Sequence, residues 1–318
     1  MVKLNTKLKS HLQNSFGSRI SLNKTECKLY GHDIAAIPNL IKPLVGDTTP
    51  EAVVQPEAEG ELVELVKWAV EKGIPITPRG KASSGYGGVL PIKNGIVVDL
   101  YRMNKVISID ADAQTATVQA GMIWEKLDRE LEKRGLTLRL YPTSYPASTV
   151  GGWLAQGGAG IGSYEAGWFR DNVVGARVVL PDGKVQEFTG ADLDLIADAE
   201  GTTGIISTVT IRVQPLEDLK VVAIGCPDAH DLQKLLQSIV DEKVPIWSLV
   251  FINPRMAELK NKAPLMEHHG HPAEERVLLP ASYIITLAFK ANEQETVMKK
   301  AGASNKGMRG RVSQRQGR

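Results

Sequence analysis

Cysteine is nearly missing. Cys27 and Cys226 are the two in 318 residues, far apart and without CxxC spacing, so the chain alone can build neither a disulfide framework nor a zinc or iron-sulfur site. Any iron-sulfur cluster serving this protein has to sit on another chain. Long apolar runs are missing too: no stretch approaches the roughly 18 residues that span a bilayer, and the start MVKLNTKLKS lacks the apolar core of a secretory signal. The expectation is a cytoplasmic protein, or one held at a membrane through a partner, with no transmembrane segment. Charge of one sign is not in excess, since 38 Lys and Arg face 36 Asp and Glu for a net +2. That is too little for the electrostatic footprint of a nucleic-acid binder.

What is present is 42% hydrophobic residues, enough for a sizeable core, in a length that suits two domains better than one. Residues 1–46 read as a polar, irregular N-terminal arm. A helix is predicted in ELVELVKWAVEKG, where Leu62, Leu65, Val66 and Ala69 recur at helical spacing and Gly73 stands just past the end. A short IPIT strand then runs straight into PRGKASSGYGG. Strands follow in GIVVDL, KVISID and TATVQAG, then the amphipathic helix IWEKLDRELEKRG, then a second glycine-rich stretch, TVGGWLAQGGAGIGS. VVGARVVL and KVQEF flank Pro181-Asp182-Gly183, a hairpin turn signal, and ISTVTIRVQP closes the region. Antiparallel neighbours dominate this pattern, so the fold class is α+β and not a doubly wound sheet. After Pro215 come a strand, the helix DAHDLQKLLQSIVDEK, two more strands and a charged helix, which read as a second, partial α+β unit over 217–301. The tail 302–318 carries five cations, no acid and almost nothing apolar, and is expected to be disordered.

Two glycine-rich loops, each near a strand, can bring backbone N–H groups close to a diphosphate, because glycine has no Cβ in the way and accepts the φ values of anion-binding nests. Neither matches the dinucleotide fingerprint or a phosphate loop ending in Gly-Lys-Ser/Thr. That argues against NAD-first and ATP-first readings. A tight turn without a ligand is the plain alternative for either loop taken alone.

The blocks YGHD, PEAVVQP, ITPRGKASSGYGGVLP, GIVVDLYRMNKVISID, VQAGMIWEKL, YPTSYPASTVGGWLAQGGAGIGS, DNVVGARVVLPDG and AEGTTGIISTVTIRVQP, in this order, resemble the two-lobed FAD-binding domain of the vanillyl-alcohol oxidase (PCMH) type. Within it they are most like the branch of the glycolate oxidase flavin subunit and D-lactate dehydrogenases. The resemblance runs from about Tyr30 to Pro215 and continues weakly to about Ala301, which makes 47–216 the FAD-binding domain and 217–301 a truncated substrate or cap domain. It implies that Arg79, Gly80, Lys81, Ala82, Ser83, Ser84 and Gly85 wrap the FAD pyrophosphate, and that Pro142, Thr143, Ser144, Thr149, Gly151 and Gly152 line the opposite side. Gly158, Ala159, Gly160, Ile161 and Ser163 resemble the turn beneath the ribityl and flavin portion, and Glu200, Gly204 and Ile205 the segment at the adenine end. No histidine lies in the first loop, so FAD is expected to be non-covalent.

Three departures stand out. Ala82 occupies a usual glycine position, and Trp153 and Gly157 replace asparagines common in the glycolate oxidase branch. The family's C-terminal histidine motif has no counterpart, so no catalytic residue is assigned. His268, His269 and His271 read as solvated loop histidines, with no metal site. Tyr164 reads as packed, and Asp171 as ordering a turn. The implied function is an FAD-dependent 2-hydroxy-acid dehydrogenase subunit that passes electrons to an iron-sulfur partner, with the partner chain completing the cap. A non-catalytic flavin-carrying subunit of a larger redox complex, and a shortened product without stable function, are the alternatives.

Overall fold

The computed structural model describes residues 4–35, 37–263, 278–304 and 312–316. The chain divides into two compact units, Met1–Gly160 with Gly167–Leu216, and Ile161–Ala166 with Glu217–Arg318.

The first unit holds two sheets. The smaller is four-stranded, in the order Ile20–Ser21, Ala52–Val54, Ile96–Asp99, Ile76–Arg79. Ile20–Ser21 pairs antiparallel, and the other two pairings are parallel. The helix Glu59–Glu71 follows Ala52–Val54 and leads back to Ile76–Arg79. It buries Leu62, Leu65, Val66 and Ala69, the residues its spacing selects, and the turn after it uses Gly73 at φ +64°. Ile96, Val97 and Val98 are fully buried. Such continuous burial is what a strand enclosed on both faces requires.

The larger sheet is antiparallel, with Val106–Asp110, Thr115–Gln119, Ile205–Pro215, Val173–Val179 and Val185–Thr189 as successive neighbours and Leu136–Leu138 pairing off Ile205–Pro215. Gly183 turns its hairpin at φ +75°. The sheet is thus antiparallel as expected, whereas the first is mostly parallel.

The N-terminal arm is not irregular. Helices run over Thr6–Phe16 and Lys24–Leu29, capped by the Asn5 and Asn23 side chains, and Ile20–Ser21 joins the small sheet. Leu12 and Phe16 are buried, His11 stacks on Trp68 at 4.9 Å, and the Arg19 guanidinium donates to both Glu61 carboxylate oxygens. Two buried apolar side chains contribute about 1.5–3 kcal/mol each, more than the partly exposed ion pair. The arm's polar composition conceals that narrow apolar stripe.

The second unit is a four-stranded antiparallel sheet in the order Ser248–Ile252, Tyr283–Lys290, Leu219–Cys226, Val312–Gln316. Helix Ala229–Asp241 and Val297 of helix Gln294–Ser304 close a core with Val222, Ile224, Leu235, Ile285, Leu287 and Phe289. The tail departs from the expected disorder at residues 312–316, which form a strand against Leu219–Cys226. Ladder hydrogen bonds join backbone to backbone, so an edge strand tolerates a composition that could not form a core. His268, His269 and His271 lie outside the described residues. Among the described residues, no cluster of three metal-ligating side chains is found, and no helix is long and apolar enough to cross a membrane.

Candidate functional site

The strand Ile76–Arg79 ends where its chain partner Ile96–Asp99 turns away, and residues 80–88 continue as loop. Four segments of the first unit meet there and enclose a cleft of about 870 Å³, its open mouth included. Of the residues predicted for the site, Arg79, Gly80, Lys81, Ala82, Ser83, Ser84, Ser144, Thr149, Gly151, Gly152, Glu200, Gly204 and Ile205 line it. Gly85, Pro142, Thr143, Gly158, Ala159 and Gly160 do not, although all belong to the same unit. Ile161 and Ser163 belong to the second unit. Sequence reasoning missed Pro78, Gly88, Val89, Leu100, Ser148, Trp153, Ala155, Gln156, Gly201 and Ile206 as lining residues. Trp153 and Gln156 had a signal, since they stand one helical turn apart inside the second glycine-rich stretch.

The first loop is held by its surroundings and leaves its own donors open. Among the described residues, the backbone N–H groups of residues 81–84 have no hydrogen-bond partner. Ala82 sits at φ +51° and is buried. An L-residue there costs on the order of 1 kcal/mol relative to glycine, and the loop keeps this shape all the same. The Arg79 guanidinium donates to the carbonyls of His32 (2.9 Å) and Tyr30 (3.4 Å) and lies over the Tyr30 ring. Burial pulls the Arg79 pKa down, and the nearby Asp99 carboxylate pulls the other way. The Lys81 ammonium stands 4.0 Å from the Tyr101 ring centroid.

The second glycine-rich stretch is not a loop. Val150–Gln156 is a helix, with the Thr149 side chain accepting from Gly152 N and Gly157 ending it at φ +76°. Its first amides are already used: Val150 N donates to Met122 O, Gly151 N to Ala120 O and Gly152 N to Thr149 Oγ1. A Cβ on Gly151 would lie 2.5 Å from the Ala120 Cβ, and one on Gly80 would lie 2.5 Å from Thr149 Oγ1. Gly80 and Gly151 let protein approach protein, while Gly151 and Gly152 line the cleft with their N–H groups already bonded inside the chain. Trp153 stacks on Phe169 at 4.3 Å, and Trp124 meets both edge-on. Gly160 stands against Tyr141 O and the Trp153 ring, where a Cβ has no room.

Tyr164 donates to Ile239 O (3.2 Å), and Asp171 accepts from Trp168 N (3.1 Å), so both hold local structure. A hydroxyl cluster around the buried Asp128 was missed in the sequence. Asp128 accepts hydroxyl hydrogen bonds from Thr137, Tyr141 and Tyr145. Burial raises the Asp128 pKa, and the Tyr145 phenol is pushed up to about 12, chiefly by burial and then by Asp128.

The cleft is lined by residues with free peptide N–H groups, by Ser83 and Ser84 and by two cationic residues, Arg79 and Lys81. Val89, Leu100, Ala155, Ile205 and Ile206 supply an apolar wall. That donor set suits an elongated ligand with a doubly anionic centre and flat apolar ends. A dinucleotide has that form.

A family comparison agrees with this class of ligand. Residues 50–189 match the family model described as an FAD binding domain. Among curated relatives, it is 28% identical over 241 residues to the glycolate oxidase subunit GlcD of Bacillus subtilis, covering 72% of this chain and 50% of that one. It is 31% identical over 232 residues to the D-lactate dehydrogenase of Archaeoglobus fulgidus, covering 69% and 52%. The chain spans about half the length of these relatives. A solved structure of alkyldihydroxyacetonephosphate synthase shares the fold, with a TM-score of 0.84 at 21% identity, over 98% of this chain and 62% of the other.

Proposed function

We propose that this protein is an FAD-dependent oxidoreductase that oxidises a 2-hydroxy acid of the D-lactate or glycolate type and passes the electrons to an iron-sulfur partner. The observation that carries the reading is the loop of residues 81–84, which lines a cleft with an apolar wall and has unpartnered N–H groups, in a segment that matches an FAD binding domain. In this reading residues 80–84 hold the diphosphate, with Arg79 fixing the loop from behind and Lys81 adding charge. Ser144 and Thr149 form the facing wall, and Glu200, Gly204 and Ile205 form the end that receives the adenosine.

Bound flavin would supply a hydride acceptor for the carbon bearing the hydroxyl, and the hydroxyl proton then needs a base. The ionisable side chains of the cleft are Arg79, Lys81 and Glu200, without a histidine. That composition favours a second reading for the chain on its own, a flavin-carrying subunit whose turnover depends on residues of another chain.

Purified protein loaded with flavin tests both readings. Acid precipitation is expected to release the whole flavin complement as FAD; colour left in the pellet, or FMN in the supernatant, would count against non-covalent FAD. Bleaching of the bound flavin by D-lactate or glycolate supports the dehydrogenase. Tight FAD that neither acid reduces supports the carrier.

A further inference from the structure

We propose that Asp33, which precedes the segment 50–189 matched by the FAD binding domain model, is the positioning residue that sets the shape of the first glycine loop. The proposal rests on the reading of that loop as the FAD diphosphate site. Asp33 is 8% exposed. One carboxylate oxygen accepts from Gly87 N and the other from Ala35 N, each at 2.8 Å. The first bond joins the arm to the far end of the loop. At the near end, the carbonyls of Tyr30 and His32 accept from Arg79. Residues 30–33 therefore grip the loop on either side of residues 81–84, the part with free N–H groups.

Three further contacts fix the arm itself. Thr48 Oγ1 donates to Gly31 O at 2.6 Å, Tyr30 OH donates to Asp99 at 3.2 Å, and Gln55 donates to the same Asp99 oxygen at 2.7 Å. Gly85 has no Cβ, and one built there would come within 3.0 Å of the Ala35 side chain, so arm and loop run in direct contact.

A loop whose N–H groups have no partner in the chain does not stabilise its own shape, and the positive φ of Ala82 works against it. The shape has to be imposed from outside. A carboxylate that accepts an N–H at the loop's far end, opposite a guanidinium clamp at its near end, imposes it. Asn in place of Asp33 keeps the size but turns an –NH₂ group toward one of two N–H donors and removes the charge that strengthens the other bond.

The test measures FAD affinity by titration of the full chain, with thermal unfolding of the flavin-free protein alongside. Asp33→Asn is expected to weaken FAD about tenfold, the scale of one charge-assisted hydrogen bond, while the flavin-free melting temperature changes little. Adding Ala82→Gly to Asp33→Asn is expected to recover roughly threefold, because glycine adopts the left-handed conformation without strain. Ala82→Gly alone should do much less, the loop being already held. Should Asp33→Asn fail to fold, Asp33→Ser, which keeps one acceptor, is measured in the same way. Unchanged affinity, a loss matched by a fall in flavin-free stability, or additive effects of the two substitutions would each overturn the role of Asp33. Failure of the wild-type chain to bind FAD would overturn the diphosphate reading and this proposal together.

Discussion

Residues 79–88 and residues 149–160 have nearly the same glycine-rich composition and border the same cleft, yet they use glycine differently. In the first, the backbone N–H groups of residues 81–84 are unpartnered among the described residues, and the shape is held by Asp33 and Arg79 from the arm side. In the second, the amides of residues 150–152 are consumed by Met122, Ala120 and Thr149, and the missing side chain of Gly151 lets a helix settle on Ala120. Glycine content alone does not distinguish a ligand cradle from a helix packed tightly on a strand. Where the N–H bonds go does distinguish them.

The largest expected effect breaks the second segment. Gly151→Val would drive a branched side chain into the Ala120 backbone and side chain. Overpacking of this kind costs several kcal/mol, so the flavin-free protein is expected to melt on the order of 10 °C lower. If instead its melting point held and only FAD affinity fell, Gly151 would face the ligand and the contrast between the segments would fail.

A smaller effect sharpens the place where the segments touch. Gly80→Ala puts a Cβ 2.5 Å from Thr149 Oγ1, which also caps Gly152 N. Thr149 must rotate and give up the cap, at about 1 kcal/mol. In Thr149→Ala the obstacle and the cap are already gone, so Gly80→Ala should add almost nothing to it. A double-mutant cycle by urea unfolding would show a coupling of about 1 kcal/mol; additive values would mean that the loop moves away from the helix instead.

Much of this architecture was legible in the sequence, and the exceptions share a cause. Helix Glu59–Glu71 and strand Ile205–Pro215 carry strong apolar periodicity and stand where expected. The helix Val150–Gln156 was concealed because Gly151 and Gly152 have low intrinsic helix preference. Burial of Val150, Trp153 and Leu154, spaced three and four apart, outweighs that preference. Its boundaries were readable all the same, in the Thr149 cap and the Gly157 stop. Within the site, the strand-to-loop step at Arg79 was plain, because Pro, Arg and Gly follow a short apolar strand. The Asp33 bond to Gly87 and the Asp128 cluster were not, since each joins residues whose contact only the folded chain creates. The apolar wall at Val89, Leu100 and Ile206 gave no separate signal from ordinary core.

Acidity tests a third region, around the buried Asp128. Burial raises the Asp128 pKa above its ordinary value, so the folded state binds this proton more tightly than the unfolded chain does. The sign follows from linkage: the contribution is fully present below the unfolded-state pKa and is lost as pH rises through the raised folded-state pKa. Asp128→Asn removes the titration. The stability difference, wild type minus variant, should therefore decline as pH climbs through that window and then level off. Urea midpoints at a series of pH values check it, and parallel curves would mean that Asp128 is solvated.

The smallest effect sharpens the first segment most finely. Ser83→Ala removes a hydroxyl from the cleft wall but leaves the peptide N–H of residue 83 where it was. If the loop binds a diphosphate mainly through its backbone, losing one neutral hydroxyl costs about 1 kcal/mol, or roughly fivefold in FAD affinity. The flavin-free melting temperature should not move, because no described residue receives a hydrogen bond from that hydroxyl. A loss as large as that expected for Asp33→Asn would reverse the ranking. The side chains of the loop would then grip the ligand, its backbone shape would matter less, and the distinction between an open first segment and a closed second one would reduce to which of them carries serines.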